Sequence, residues 1–164
     1  MIAVVTGMGP RTGTSSVMQY AINQGLPVTG KQFIDGYTVP KHNPQGYWES
    51  DLETIQKTNI KNTVIKLWYP ALKYIDHSFI SCIVVLERKN KLAQLASMYK
   101  VYRDEYQMTK INLSVLELFY EQQTKLPQWL STRNQQTIFK VYTEDLDQEY
   151  SNIFRFLKKG LTCQ

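Results

Sequence analysis

The chain has 164 residues, 43% of them hydrophobic and 20% charged, so it is long enough for one substantial core and too short for two domains of typical size. The formal charge of +5 and the pI near 9.1 favour anionic ligands. The basic residues are scattered, which fits an ordinary basic surface at least as well as a nucleic-acid patch, and no specific nucleic-acid binding is predicted.

Cysteine content and hydropathy argue against a disulfide-rich protein, a cysteine metal site and a membrane-spanning protein. Cys82 lies in an apolar run and is predicted to be a core thiol, whereas Cys163 is in the tail, so neither a disulfide framework nor a cysteine metal site is indicated. No apolar run approaches the roughly 20 residues that span a bilayer, and the initial Met leads straight into a strand-like run. We therefore expect one cytoplasmic domain over residues 1–164, without a membrane span.

The first predicted elements are a buried strand at residues 2–5, a glycine-rich turn, and a helix over about residues 15–23. Glycines let successive backbone N–H groups converge, and the following helix directs its unpaired N–H groups and positive dipole end at the same point. Thr14, Ser15 and Ser16 add hydroxyl groups that can bind an anion or cap the helix. The arrangement predicts a phosphate- or sulfate-binding loop.

The loop departs from the Walker A pattern Gly-x-x-x-x-Gly-Lys-[Ser/Thr], because Thr14 stands in place of the lysine and Arg11 supplies the cation before Gly13. It resembles instead the 5′-phosphosulfate loop of sulfotransferases, Pro-[Lys/Arg]-[Ser/Thr]-Gly-Thr-[Thr/Ser]. That resemblance implies a P-loop type fold that binds 3′-phosphoadenosine 5′-phosphosulfate (PAPS) without a metal. The alternative is a glycine turn without a ligand. The six matching residues, implied to bind the cofactor, are Pro10, Arg11, Thr12, Gly13, Thr14 and Ser15.

Residues 26–46 are rich in proline and glycine and are predicted to form a long irregular loop, a candidate cover for the phosphate-binding loop. Segment 43–49, Asn-Pro-Gln-Gly-Tyr-Trp-Glu, resembles the Asn-Pro-x-Gly-Tyr-[Phe/Trp]-Glu segment of many bacterial sulfotransferase-like proteins. Tyr47 and Trp48 are alternatively aromatics that pack on the core. Glu49 is a candidate catalytic base, but capping a helix or pairing with Arg11 are equally open.

A helix is predicted from residue 50 or 51 to about 62, followed by a strand at 63–68. Lys66 interrupts this apolar strand, so its ammonium group is expected either to emerge at the carboxyl end, the edge where α/β sheets bind ligands, or to carry a desolvation cost. Lys66 is similar to the strand lysine of sulfotransferases, which implies a catalytic role. Trp68 departs from the cytosolic branch, which has a histidine base there, so either another group takes the proton or transfer is absent. The two histidines, His42 and His77, are alternatives for that base.

The most apolar predicted strand, residues 79–86, belongs inside a parallel sheet and leads into a helix over about residues 91–105. Arg88 between them resembles the 3′-phosphate site of sulfotransferases, a strand ending in Arg and a helix carrying a Ser. The usual spacing falls on Ala96, whereas Ser97 points about 100° further round a helix. The resemblance implies that Arg88 and Ser97 bind the 3′ phosphate, and a surface arginine is the alternative.

The remaining predicted elements are a helix at 113–125 ending before Pro127, a polar connector at 126–135, a strand at 137–142 and a final helix. Segment 141–146, Val-Tyr-Thr-Glu-Asp-Leu, resembles the Glu-Asp-Leu ending of the family. There Thr143 is expected to cap the last helix, with acidic residues at its N-terminus and Leu146 packed inside.

These elements predict an α/β fold, a three-layer P-loop type parallel sheet of about four to five strands with helices on both faces. The resemblance implies a small PAPS-dependent sulfotransferase that transfers a sulfuryl group to a small-molecule, carbohydrate or protein acceptor. Arg11, Lys66 and Glu49 are then the candidate catalytic residues, and no metal is implied. Two alternatives stay open: a magnesium-dependent nucleotide or small-molecule kinase, and a nucleotide-binding protein without transfer activity.

Overall fold

Strands and helices alternate along the chain, which the computed structural model describes over residues 1–33, 41–50, 52–57, 60–107 and 113–162. The strands in these ranges are β1 (Ile2–Gly7), β2 (Val28–Thr29), β3 (Val64–Lys66), β4 (Ile80–Glu87) and β5 (Ile138–Tyr142). The α-helices are α1 (Thr14–Asn23), α2 (Leu52–Lys57), α3 (Tyr69–Leu72), α4 (Lys91–Tyr106), α5 (Leu113–Ser131) and α6 (Leu146–Thr162). The residues just before β4, β5 and α6 form short 3₁₀ turns, His77–Phe79, Gln135–Thr137 and Thr143–Asp145.

The five strands form one parallel sheet in the order β2-β3-β1-β4-β5. Strand β1 is central and all six of its residues are buried, with Val4 opposite Ile65 on one side and Ile83 on the other. The predicted α/β class and its four strands are confirmed. The short strand β2 was missed inside the loop predicted at 26–46, because two residues show no periodicity and only pairing with β3 makes them a strand.

Helices cover both faces of the sheet, as predicted. Alternate residues of β1 face opposite sides, so Ala3 and Val5 belong to one apolar core and Ile2 and Val4 to the other. Buried side chains of α1 and α6 join the first core, and those of α3 and α5 join the second. Cys82 is a buried thiol in the first core, as predicted, whereas Cys163 lies outside the described residues.

Two predicted helix ends were wrong. Helix α5 continues through Pro127 to Ser131, so no connector begins at 126. A proline inside a helix costs about 3 kcal/mol, and burial of Leu126 and Leu130 in the second core offsets that cost. The helix expected to reach about residue 62 ends before residue 60, and Asn62 itself has a φ of 54° with its N–H donating to the Met1 carbonyl at 2.8 Å.

The parallel arrangement brings the carboxyl ends of the strands to one edge. The segments that leave β1, β3, β4 and β5 there begin at residues 8, 67, 88 and 143. Segments more than 100 residues apart in sequence therefore meet at this edge, where parallel sheets bind their ligands.

Candidate functional site

A cavity of about 580 Å³ opens at the carboxyl edge of the sheet. Its walls come from the loop after β1, the segment 42–49, the ends of β3 and β4, helices α4 and α5, and the turn before α6. Thr12 is the one predicted site residue that does not line it. The nine that do are Pro10, Arg11, Gly13, Thr14, Ser15, Glu49, Lys66, Arg88 and Ser97.

The backbone of the loop alternates in handedness. Gly9, Arg11 and Gly13 have φ values of 96°, 66° and 84°, whereas the ring of Pro10 holds φ negative and Thr12 also lies outside the positive region. Alternation of this kind turns successive N–H groups toward the inside of a concave turn that binds anions. A non-glycine residue such as Arg11 at positive φ is uncommon and fits a functional loop.

The loop has four consecutive amide groups that can bind an anion. The N–H groups of Thr12, Gly13, Thr14 and Ser15 donate to no acceptor among the described residues. The first helical bond of α1 runs from the Val17 N–H to the Gly13 carbonyl at 3.2 Å. Gly13 is the N-cap and no side chain caps the helix, so of the two roles open to the hydroxyls of residues 14–16, capping is not observed. The uncapped helix start offers its amides to an anion.

The carbonyl groups of Met8, Pro10 and Thr12, in contrast, accept hydrogen bonds from side chains of distant elements. Gln94 on α4 donates through Nε2 to the carbonyls of Met8 and Pro10, at 3.1 and 2.7 Å. The Thr143 hydroxyl donates to the Thr12 carbonyl at 2.7 Å. Thr143 makes no helix-capping bond, so its predicted capping role was wrong. Carbonyls that are bonded elsewhere do not face an incoming anion.

Thr12 supports the loop from inside. Its side chain is fully buried and its hydroxyl donates to the Gly9 carbonyl at 3.2 Å, so the hydroxyl does not face the cavity. A Cβ on Gly7 would lie 2.1 Å from this hydroxyl, which explains the glycine at the end of β1. Thr12 can therefore offer a ligand in the cavity only its backbone amide.

Lys66 ends β3, as predicted, and only 2% of its surface is exposed. Its ammonium group donates to Glu49 Oε1 at 2.6 Å, to the Tyr47 carbonyl at 2.7 Å and to Ser15 Oγ at 3.1 Å. These three bonds use all three ammonium hydrogens. Burial lowers the pKa of Lys66, and the Glu49 carboxylate opposes that shift.

Glu49 pairs with Lys66, so the predicted alternatives of a pair with Arg11 and of a helix cap do not describe its observed contact. Single bridges to Lys31 and Lys66 hold its backbone beside β3. The indole of Trp68, at the position of the family's histidine, lies 5.3 Å from the Lys66 ammonium. Trp68 therefore provides a cation–π contact where the family has a base.

Arg88 and Ser97 line the cavity together, although their spacing departs from the family pattern. Arg11 Nε donates to Ser97 Oγ at 3.2 Å, which brings the loop and α4 into direct contact. Arg88 Nη1 donates to the Ala93 carbonyl at 3.4 Å, and its buried Nε has no partner among the described residues. The spacing of Ser97 favoured a side chain that points away from the site. The structure instead places this side chain in the cavity wall.

The two histidines lie in different places. His42 lines the cavity and its Nε2 is 3.0 Å from Asp104 Oδ2 on α4. Hydrogen bonds from Arg103 and His42 lower the pKa of Asp104 to about 2. His77 stacks on Trp129, with ring centroids 5.8 Å apart, and does not line the cavity.

Aromatic and polar contributors to the site were missed or misassigned from sequence. Trp48 packs against the first core, as predicted, but Tyr47 lines the cavity. Gln94 and Gln123, whose amides both donate to the Met8 carbonyl, carried no signal because a glutamine on a helix resembles any surface residue.

Comparison with known proteins leaves the function open. No protein-family model matches the chain, and no curated protein matches its sequence. In the described parts of the chain, no helix combines the length and the apolar character needed to cross a membrane. Function is therefore inferred from the chemistry of the cavity and of its loop.

Proposed function

We propose that this protein binds PAPS in the cavity and transfers its sulfuryl group to a hydroxyl or amine acceptor, in a small molecule, a carbohydrate or a protein. The observation that carries the proposal is the loop over residues 9–15, in which the amides of residues 12–15 have no acceptor among the described residues and the carbonyls of Pro10 and Thr12 are bonded elsewhere. This polarity suits an oxyanion and opposes a cation. The cavity volume of about 580 Å³ is in the range typical of small-molecule sites.

Two separate groups of cationic and hydroxyl side chains support a ligand with two anionic ends. Lys66 at the end of β3 donates to Ser15 at the start of α1, on one side of the cavity. Arg88 and Ser97 lie on the α4 side, and Arg11 contacts Ser97 from the loop. A 5′-phosphosulfate at the loop and a 3′ phosphate beside Arg88 match this division, because guanidinium groups bind phosphate through paired hydrogen bonds.

Sulfuryl transfer would exchange one bond to sulfur for another, with these groups stabilising the charge and accepting the proton. The bond between sulfur and the bridging phosphate oxygen breaks while a bond from the acceptor oxygen or nitrogen to sulfur forms. The loop amides, Arg11 and Lys66 stabilise the charge that develops on the leaving phosphate. Glu49 takes the acceptor proton after its bond to Lys66 is exchanged for a bond between Lys66 and that phosphate.

The phosphoryl-transfer alternative is less well supported. A kinase of this fold would use a loop lysine and a carboxylate at a strand end that helps hold magnesium. Position 14 is threonine, and Glu87 at the end of β4 is paired with Lys91 at 2.9 Å. Trp68 at the usual base position favours the other alternative, a nucleotide-binding protein without transfer activity.

Calorimetry with 3′-phosphoadenosine 5′-phosphate (PAP) tests the binding step. We expect the wild type to bind PAP, and Arg11→Met to weaken binding about 10- to 100-fold, because the change removes a charge-assisted contact and keeps the aliphatic stem. Arg155→Met is the matched control, since Arg155 is exposed on α6 and bonds to Asn152. Absence of binding by the wild type, or equal affinity of the Arg11 variant, would contradict the proposal.

A transfer assay separates the three functions. Labelled PAPS is incubated with a panel of phenols, alcohols, amines and sugars, and ATP hydrolysis is measured with and without magnesium. Sulfuryl transfer supports the proposal. Tight PAP binding without transfer identifies a nucleotide-binding protein, and ATP turnover that requires magnesium identifies a kinase.

A further inference from the structure

The hydroxyl of Thr143 joins three segments at the edge of the sheet. It lies at the start of the 3₁₀ turn after β5, half-buried, 2.7 Å from the Thr12 carbonyl and 3.1 Å from the Glu87 carbonyl. A hydroxyl has one hydrogen, so the closer Thr12 carbonyl is its main acceptor and the Glu87 carbonyl shares it. The loop after β1 is thus tied to a residue 131 positions away.

This bond fixes the direction of an amide in the loop. The Thr12 carbonyl and the Gly13 N–H belong to one planar trans peptide unit and point in opposite directions. When Thr143 holds the carbonyl, the Gly13 N–H points away from Thr143, and it has no acceptor among the described residues. Gly13 has a φ of 84° and allows other backbone conformations, so this peptide unit can reverse unless something holds it.

The contacts of Gly13 show that the same turn closes the loop from behind. A Cβ at Gly13 would lie 2.6 Å from Leu146 Cδ1 and 3.5 Å from Thr143 Cγ2. The buried Leu146 and the Thr143 methyl group therefore pack against this glycine while the Thr143 hydroxyl bonds the adjacent carbonyl.

We propose that Thr143 is a positioning residue of the anion-binding loop, whose hydroxyl prevents reversal of the Thr12–Gly13 peptide and so keeps the Gly13 amide directed at the anion. A reversed peptide would present a carbonyl to the anion and would reduce the binding-competent fraction of the protein. The anion is the 5′-phosphosulfate if the proposed function holds, and this inference rests on that function only for the identity of the ligand.

Two variants separate the hydroxyl from the methyl group. Thr143→Val keeps the packing on Gly13 and removes the donor, whereas Thr143→Ser keeps the donor and removes the methyl group. Thr137→Val is the matched control, since the Thr137 hydroxyl donates to the Asn134 carbonyl at 2.7 Å outside the cavity. Binding of PAP and of inorganic pyrophosphate is measured by calorimetry, and thermal unfolding is followed for each variant.

We expect Thr143→Val to raise the Kd for PAP and for pyrophosphate about tenfold. The Kd of Thr143→Ser and of Thr137→Val should stay within about twofold of the wild-type value. For Thr137→Val this should hold even if its Tm falls as much as that of Thr143→Val. Equal affinity of Thr143→Val and the wild type, or an equal loss in Thr143→Ser, would overturn the role of the hydroxyl. Binding of pyrophosphate without PAP refutes the proposed function while still testing Thr143.

An NMR measurement on the free protein decides the matter even if neither anion binds. Residual dipolar couplings report the direction of the Gly13 N–H bond in the wild type and in both Thr143 variants. We expect one direction in the wild type and in Thr143→Ser, and an averaged coupling in Thr143→Val. An unchanged coupling in Thr143→Val would show that the hydroxyl does not hold the peptide.

Discussion

The cationic side chains on the two sides of the cavity differ in their hydrogen-bond partners. On the β3 side, the Lys66 ammonium is buried and makes three hydrogen bonds, one of them to the Glu49 carboxylate at 2.6 Å. On the α4 side, Arg11 donates to the Ser97 hydroxyl, and Arg88 to a backbone carbonyl at 3.4 Å. An anion can add bonds to the Arg88 guanidinium, whose buried Nε has no partner among the described residues, whereas Lys66 must exchange a bond before it can contact a ligand.

This difference suggests a division of tasks within the proposed function. Only interactions that strengthen in the transition state raise the rate. Lys66 should therefore leave Glu49 and contact the leaving phosphate when negative charge develops on that phosphate. The α4 side and the loop amides are then mainly responsible for affinity, and Lys66 and Glu49 for transfer.

The largest effect that would distinguish the two sides is expected for Lys66→Met. The rate of sulfuryl transfer should fall about 100- to 1000-fold, because a charge that stabilises the leaving phosphate is lost. The Kd for PAP should rise less than about tenfold. Single-turnover kinetics and calorimetry measure the two effects. Lys125→Met removes a lysine from an exposed pair with Glu121 and serves as the control. A larger loss of affinity than of rate would assign Lys66 to binding.

Stability is the next test, through Glu49→Gln. The change leaves the buried ammonium of Lys66 without its counter-ion, and we expect the free energy of unfolding to fall by about 2–3 kcal/mol. Glu121→Gln, which removes the acid of the exposed pair with Lys125, should lower the stability much less, because solvent screens an exposed pair. Urea unfolding measures both. Equal small losses would mean that the Lys66 pair is no more important than a surface pair.

The same variant has a defined pH dependence. Burial lowers the pKa of Lys66 below its ordinary 10.5, so between the two values the unfolded chain binds more protons and stability rises with pH. Without the opposing Glu49 carboxylate, the folded pKa falls further and the window in which stability rises extends to lower pH. The deficit of Glu49→Gln relative to the wild type should therefore shrink as the pH increases, and a deficit that grows would contradict this sign.

A smaller effect is expected for Arg88→Met on the α4 side. If Arg88 binds the 3′ phosphate, the variant should bind PAP about tenfold more weakly. Its affinity for adenosine 5′-phosphate, which lacks that phosphate, should change less than about twofold. Calorimetry with both nucleotides gives the comparison. Equal losses for the two would place Arg88 elsewhere on the ligand or in a structural role.

Local sequence was sufficient to predict a concave loop and the main strands. Val17 bonds to Gly13 within one turn, and Gly9, Arg11 and Gly13 adopt positive φ within five residues, so neighbouring residues favour the turn, although distant side chains bond its carbonyls. The apolar runs at residues 2–5 and 79–86 predicted interior strands because a strand covered on both faces must be apolar throughout. The α/β class followed from their alternation with helices.

Only the tertiary structure decided which side chains meet. The Lys66–Glu49 pair, the Arg11–Ser97 bond and the Thr143–Thr12 bond join residues 17, 86 and 131 positions apart. The order of the strands and the rotation of α4 bring these residues together. No local sequence pattern encodes the strand order or that rotation. Pro127 shows the same principle for secondary structure, because burial of residues on either side outweighed its local preference against a helix. The sequence by itself thus determined the sheet and the glycine-rich turn, while long-range packing determined the hydrogen-bond partners of that turn.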